Sequence, residues 1–160
     1  MGLIVFGISA SAANPKTTGD ADWINPYSGG TQANTTFNAI AIHPTGSDAK
    51  GSLIYSDPNV TYTMDVQAVK VYGKDAWFVG QVTSVTPAGG YQGCCAIGNW
   101  VFYKVEDNGE PGVNVDIIWG EDLTQGEGIT DSATAKAKVD NMITPLSPPF
   151  TINGGNIQVH

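Results

Sequence analysis

The sequence predicts an all-β protein, an antiparallel β-sandwich or flattened barrel of about seven to nine strands. Three observations support this fold class. Short runs rich in Val, Ile, Thr and aromatic residues recur along the chain, separated by turns with Gly, Pro, Asn or Asp. Only 14% of the residues are charged, whereas the chain has 20 Gly and 9 Pro. One segment alone, residues 131–142, has the composition of a helix.

The most distinct pair of strands is a hairpin between Gly98 and Trp119. Two runs of aromatic and β-branched residues flank an acidic centre, Asp107–Gly112. That centre contains Asn-Gly, which tolerates positive φ, and Pro-Gly, which favours a second turn. We therefore predict a long hairpin with a wide acidic tip, and this hairpin is the element around which the other strands are placed.

The other predicted strands are short and are separated by turns; they are residues 21–25, 35–43, 51–55, 60–64, 76–84, 150–153 and 156–159, with residues 65–72 following directly after 60–64. Gly154 and Gly155 separate the last two strands and predict a bulge in one closing strand. Thr130 or Asp131 can cap a helix that continues to about residue 142. Because its apolar face is weak, we predict a short helix on the surface.

The N-terminus begins with a short apolar run followed by small residues. The apolar side chains are Leu3, Ile4, Val5, Phe6 and Ile8. An A-x-A site at residues 10–12 resembles the end of a secretory signal peptide, so residues 1–13 are predicted to be a signal remnant or a retained apolar strand. A retained strand predicts assembly, in which these side chains enter the open sheet of a neighbouring copy. Residues 14–20 are predicted to be a linker, and residues 21–160 a single domain.

Charge excludes some classes of partner. The formal net charge is −8, and all seven basic residues are Lys. Nucleic acids and anionic membrane surfaces bind through many cationic contacts, which this chain lacks. No apolar stretch approaches the ~20 residues that span a bilayer. The acidity fits a protein that is secreted or displayed at the cell surface.

Two adjacent cysteines, Cys94 and Cys95, are the only cysteines. Neighbouring Cα atoms lie ~3.8 Å apart, below the usual span of a disulfide. The alternatives are two free thiols, a vicinal disulfide, or links to another chain. The pair lacks the accompanying histidines of a zinc site.

The acidic tip is the candidate metal site. Asp107, Asn108, Glu110 and Asp116 offer the oxygen ligands that calcium prefers. Their spacing matches no known calcium loop, so the alternative is a solvated turn whose side chains bond their own backbone. Calcium is the one cofactor that the sequence suggests.

Aromatic residues have two alternative roles. The four Trp, six Tyr and five Phe can form platforms for sugars or fill a core, and the core is the expected place for most of them. Trp77 and Phe78 are neighbours in one strand and must point to opposite faces. His43 lies beside Pro44 without any catalytic motif, so no catalytic residue is predicted.

Four stretches in this order resemble one family. They are Gly51–Tyr55, Val69–Gly80, the Asp107–Gly112 turn and the ending Gly154–His160. Together they resemble secreted bacterial β-rich modules of the post-COAP-1 domain type, over about residues 22–160. The resemblance implies an extracellular all-β domain and carries over no catalytic residue. The chain departs from this pattern at its cysteine pair and in residues 120–149.

The predicted function is a non-enzymatic extracellular structural or adhesive module. Two alternatives are a filament subunit that assembles by N-terminal strand addition and a carbohydrate-binding module; a small hydrolase comes last. The predicted partners are another copy of the chain or an extracellular polymer. A small-molecule substrate is not expected.

Overall fold

The structure, a computed structural model, describes residues 13–91 and 94–160. It contains nine strands and two α-helices, with a short 3-10 helix at Pro26–Ser28. The strands are β1 Lys16–Asn25, β2 Thr31–Ala41, β3 Ala49–Ser56, β4 Thr61–Tyr72, β5 Asp75–Thr86, β6 Trp100–Glu106, β7 Ile117–Asp122, β8 Phe150–Thr151 and β9 Gly154–Val159. The helices are α1 Leu123–Glu127 and α2 Ser132–Asp140.

All nine strands belong to one antiparallel sheet in the order β8-β7-β6-β5-β4-β3-β2-β1-β9. Strands β1 to β7 are neighbours in sequence order, as in a meander. The all-β antiparallel prediction is therefore confirmed. Because the strands form one curled sheet, the architecture corresponds to the flattened barrel among the two predicted alternatives, and not to two stacked sheets.

The C-terminal segment brings the two ends of the sheet together. Strand β8 pairs with Ile117 and Ile118 of β7, whereas β9 pairs with β1. Between them, the N–H of Ile152 donates to the carbonyl of Asp116, and the N–H of Asn153 donates to the carbonyl of Asp22. The bend at residues 152–153 thus links both edges. The prediction of one closing strand with a bulge at Gly154-Gly155 is wrong, because β8 and β9 are separate strands with different partners and both glycines begin β9 in regular register.

The curled sheet has an apolar cluster on each face. The concave face contains the larger cluster, including Phe37, Leu53 and Phe78. The convex face of β4, β5 and β6 contains Trp77, Trp100 and Phe102, which pack under the two helices. Trp77 and Phe78 therefore occupy opposite faces, as the alternation of side chains along a strand requires.

Two predicted boundaries are corrected. The linker predicted for residues 14–20 is wrong from Lys16 onward, because this stretch is the first half of β1. Its polar residues pair on both sides, with β2 and with β9, and Thr17 is fully buried with its hydroxyl donating to the carbonyl of Gln158. The backbone N–H and C=O groups of this polar segment are hydrogen-bonded by a strand on each side. Its polar composition therefore did not indicate a linker.

The helical region also differs from the prediction. Helix α2 lies within the predicted residues 131–142 and is capped by Asp131, whose side chain accepts from the N–H of Thr134. It is a short helix on the convex surface of the sheet, as predicted, with Ala135 and Val139 buried against that face. Helix α1 was not predicted. None of the helices in residues 13–91 and 94–160 is long and apolar enough to cross a membrane.

Candidate ligand pocket

A pocket of about 480 Å³ opens at one end of the curled sheet. This end is formed where β1, β3 and β7 finish and where β4 and β6 begin, because neighbouring strands run in opposite directions. Side chains that point to the concave face beneath this end form the pocket wall, together with the loop that joins β5 to β6. The mouth of a closed or nearly closed sheet is a common place for a ligand site, and the volume lies within the usual range of ~300–1,000 Å³.

Seven aromatic side chains line the pocket: Trp23, Tyr27, Tyr55, Tyr62, Tyr91, Tyr103 and Phe150. Five of them form a continuous series of ring contacts. Phe150 lies edge-on to Tyr27 at 6.4 Å and stacks on Trp23 at 4.5 Å. Trp23 then contacts Tyr55 at 6.1 Å, and Tyr55 stacks on Tyr62 at 5.1 Å. The ring of Tyr27, at the outer end of this series, is 68% exposed.

The floor of the pocket is built around Tyr103. Its hydroxyl lies 2.5 Å from the hydroxyl of Tyr62, and both rings are buried. Burial raises the pKa of both phenols, so they stay neutral and hydrogen-bonded. Gly120 of β7 leaves room for the Tyr103 ring, because a Cβ at residue 120 would lie only 2.8 Å from it.

A polar network supports one wall of the pocket. Asp57 accepts hydrogen bonds from the Tyr55 hydroxyl at 2.7 Å and from the Ser28 hydroxyl, and from the side-chain amide of Asn25 at 3.3 Å. The backbone N–H groups of Asn59 and Val60 donate to its other oxygen at 2.7 and 2.9 Å. Five donors thus converge on one carboxylate and fix the position of the Tyr55 ring.

This network moves two pKa values in opposite directions. Burial by itself would raise the pKa of Asp57, but the hydrogen bonds from Ser28, Tyr55 and the backbone outweigh it and lower that pKa. Burial raises the pKa of Tyr55, and its donation to Asp57 adds to the effect. Asp57 is therefore ionised at neutral pH and Tyr55 is neutral.

The cysteine pair lines another part of the pocket, as a disulfide between Cys94 and Cys95. Of the three alternatives that the sequence left open, the structure therefore has the vicinal disulfide. Asp122 anchors it by accepting from the N–H of Cys95 at 2.6 Å and from the side-chain amide of Asn99 at 2.8 Å. The second oxygen of Asp122 accepts from the N–H of Gln125 and caps α1. One carboxylate thus joins the loop, β7 and α1 at the pocket edge.

Negative charge dominates the described lining of the pocket. Its carboxylates are Asp57, Glu121 and Asp122, and no Lys, Arg or His is among the lining residues. Burial raises the pKa of Glu121, with a partial offset from the N–H of Leu146. Four of the seven lysines pair with carboxylates outside the lining: Lys74 and Lys104 with Glu106, Lys136 with Asp48 and Lys138 with Glu127. The charge of Lys138 also partly offsets the raised pKa of Glu121. The electrostatic potential of the pocket is accordingly negative.

The predicted calcium ligands lie at the opposite end of the sheet, in the tip that joins β6 to β7. There they hold the last strand. Asp116 accepts from the backbone N–H groups of Asn108 at 2.8 Å and Ile157 at 2.9 Å. Glu110 accepts from the side-chain amides of Asn156 and Gln158 in β9, at 2.8 and 3.2 Å.

The remaining tip ligands make similar contacts. Asp107 accepts from the N–H of Val159 at 3.2 Å, and the carbonyl oxygen of the Asn108 amide accepts from the ammonium of Lys74. Burial raises the pKa of Asp116, and the charges of Asp107 and Glu110 add to this against the lowering effect of its two N–H donors. The four side chains thus share one tip, but their oxygens point to protein donors. Calcium binding at this tip stays a prediction. The competing role of the four side chains is to hold β9 in place.

One group within the described residues has three potential metal ligands close together, and it consists of Cys94, Cys95 and Asp122. Two of the three ligands are sulfurs joined in a disulfide, so they offer no thiolate to a metal. This group therefore belongs to the wall of the pocket.

Two further predicted features are the assembly strand and His43. The assembly strand, Leu3, Ile4, Val5, Phe6 and Ile8, lies outside the described residues, and self-association stays a prediction. His43 is exposed after the end of β2 and is not among the residues that line the pocket.

Sequence reasoning missed the pocket because its residues are far apart in the chain. Trp23, Tyr55, Tyr103 and Phe150 come from four different strands, and only the curl of the sheet brings them together. One signal was present: Asn25, Tyr55 and Asp57 all lie at a strand end beside a turn, where polar and aromatic residues often face a ligand.

The fold and the pocket together define a class: a curled all-β protein with an aromatic, acidic, ligand-sized pocket at its open end. Comparison of the chain with protein-family models, with curated proteins and with solved structures finds no match. The resemblance to the post-COAP-1 domain type therefore stays a prediction, and function has to be argued from the pocket.

Proposed function

We propose that this protein is an extracellular adhesive module that binds a carbohydrate in the pocket at the open end of the sheet. The observation that carries the proposal is the series of aromatic rings that ends at Tyr27 and Phe150 beside a fixed polar network. A sugar ring has an apolar face of C–H groups and a rim of hydroxyls. It therefore needs an aromatic surface and nearby hydrogen-bonding groups in the same pocket.

The polar groups at the pocket suit hydroxyl recognition. Asn25 and Ser28 line the pocket within the ordered network of Asp57, and Asp122 is a further carboxylate of the lining. Tyr55 is oriented by its bonds to Asn25 and Asp57, so a ligand meets a wall that is already ordered. Such preorganisation reduces the entropic cost of binding.

Two features support an extracellular location. The Cys94–Cys95 disulfide is a bond that persists in oxidising compartments. The net charge of −8 favours solubility and disfavours adsorption to anionic surfaces. An adhesive module binds an extracellular polymer without transforming it, and the proposal assigns no chemical step to the pocket.

The proposal is tested by calorimetric titration with a panel of soluble neutral and amino oligosaccharides. The informative variant is Tyr27→Ala, because the ring lies at the pocket mouth and its loss leaves the buried rings in place. We expect affinity for any bound sugar to fall about fivefold, since one aromatic contact contributes ~0.5–1.5 kcal/mol.

Tyr72→Ala is the matched control. Tyr72 is 71% exposed, close to the 68% of Tyr27, but it ends β4 at the other end of the sheet and does not line the pocket. The control should bind like the unaltered protein. Equal losses in both variants, or no binding to any oligosaccharide of the panel, would overturn the proposal.

A further inference from the structure

We propose that the pocket selects a sugar that carries a protonated amine, such as a hexosamine with a free amino group, over neutral and acidic sugars. This inference rests on the proposed carbohydrate binding and adds the charge of the ligand.

The ionisable side chains that line the pocket support the inference. Among the described lining residues, the titratable groups are three carboxylates and five tyrosines: Asp57, Glu121, Asp122, Tyr27, Tyr55, Tyr62, Tyr91 and Tyr103. A neutral sugar gains nothing from such an excess of negative charge, and a sugar acid is repelled by it. An ammonium group is attracted, and more strongly inside a partly enclosed pocket than in bulk water.

The charge on Asp57 persists although five donors surround it. All five are neutral groups: two hydroxyls, one side-chain amide and two backbone N–H groups. They stabilise the ionised form, in agreement with its lowered pKa, but they bring no positive charge to cancel it. Asp57 therefore presents a full negative charge beside the aromatic wall.

The aromatic wall adds a second attraction for a cation. The face of a Trp or Tyr ring attracts an ammonium group within ~6 Å of its centroid. The same protein already uses this contact on its convex face, where the ammonium of Lys104 lies 4.3 Å from the Trp119 ring and 5.4 Å from the Trp77 ring. The rings of Tyr27 and Phe150 line the pocket together with the three carboxylates. No lysine is among the described lining residues, so no lysine ammonium of the lining covers these rings.

The experiment compares three oligosaccharides of equal length and linkage, made of glucose, N-acetylglucosamine and glucosamine. Only the third carries positive charge. We expect the glucosamine oligomer to bind about tenfold more tightly at low ionic strength, which is the effect of ~1.4 kcal/mol. The advantage should shrink with added salt and should disappear as the pH rises through the pKa of the ligand amine.

Two matched variants locate the charge effect. Asp57→Asn keeps the shape of the side chain, and the hydroxyls of Ser28 and Tyr55 can accept from the new amide instead of donating. Asp65→Asn removes the same charge from an exposed residue of β4 that does not line the pocket. We expect Asp57→Asn to reduce the preference for the glucosamine oligomer and Asp65→Asn to leave it unchanged, with unfolding curves confirming that both variants fold.

The outcomes separate this inference from the proposed function. Equal binding of all three oligomers overturns the charge preference and leaves carbohydrate binding intact. Glucosamine binding that survives Tyr27→Ala unchanged, or that falls equally in both Asn variants, would show general attraction to an acidic protein and overturn the inference. If tetramethylammonium competes as well as the glucosamine oligomer, the pocket recognises a cation without a sugar, and the proposed function itself fails.

Discussion

Two aspartates at opposite ends of the sheet show how the surroundings of a single residue decide its role. Asp57 and Asp116 each accept two backbone N–H bonds, yet the pKa of Asp57 is lowered and that of Asp116 is raised. Asp57 gains further donors from side chains and stays partly open to the pocket. Asp116 is fully buried beside other carboxylates, so its two N–H bonds do not offset the burial.

The first prediction at this scale concerns Asp116→Ala. The substitution leaves the part-buried N–H of Asn108 and the buried N–H of Ile157 without their acceptor, and the loss at a buried donor costs ~1–3 kcal/mol. We expect the free energy of unfolding to fall by about 2–4 kcal/mol, measured by urea denaturation. Asp140→Ala, at the exposed end of α2, is the control and should change stability by less than about 0.5 kcal/mol. A decrease in the free energy of unfolding no larger than that of the control would contradict the role of Asp116 in holding β9.

At the scale of elements, the closing strand β9 depends on the backbone at Gly155. Its φ is +82°, and a Cβ there would lie 1.8 Å from the carbonyl oxygen of Asp20 in β1. The close approach is what lets β9 pair with β1 immediately after the bend. A side chain at this position therefore meets both backbone strain and a clash with a neighbouring strand.

The prediction at this scale compares Gly155→Ala with Gly73→Ala. Gly73 also has positive φ, +60°, but a Cβ there meets no atom within 4 Å. We expect Gly73→Ala to cost only the backbone term of ~1–2 kcal/mol. Gly155→Ala should cost clearly more and should expose β9 to amide hydrogen exchange, because the strand must shift away from β1. Equal costs for the two variants would show that β9 is not held by this contact.

At the scale of the whole molecule, the two ends of the curled sheet differ in what their carboxylates contact. Those of the tip hold β9, whereas those of the pocket hold the loops around the lining and the start of α1. If the tip also binds calcium, the ion should raise the melting temperature by mass action; if the tip only holds β9, calcium should leave the melting temperature unchanged. The measurement is thermal unfolding in millimolar calcium and in chelator. A rise in calcium that Asp107→Ala abolishes would establish the tip as a calcium site instead.

The sequence determined the strands because their causes are local. Alternating burial along β2, a run such as Trp100–Val105, and turn residues such as Gly73 act within a few positions of one another. Composition and a capping residue also predicted the helix at Asp131, whose cap is a local hydrogen bond. The length of β1 was missed because its polar half is stabilised by strands that are distant in the sequence.

Only the tertiary structure decided where the strands meet and what they enclose. The pairing of β9 with β1 joins residues more than 130 positions apart, as in the pair of Asp22 with Gly154, and no local pattern encodes that contact. The same closure places Phe150 on Trp23 and creates the pocket. Composition and turn chemistry therefore determine an antiparallel all-β chain. The pocket depends on sheet curvature, which arises from the packing of all nine strands together.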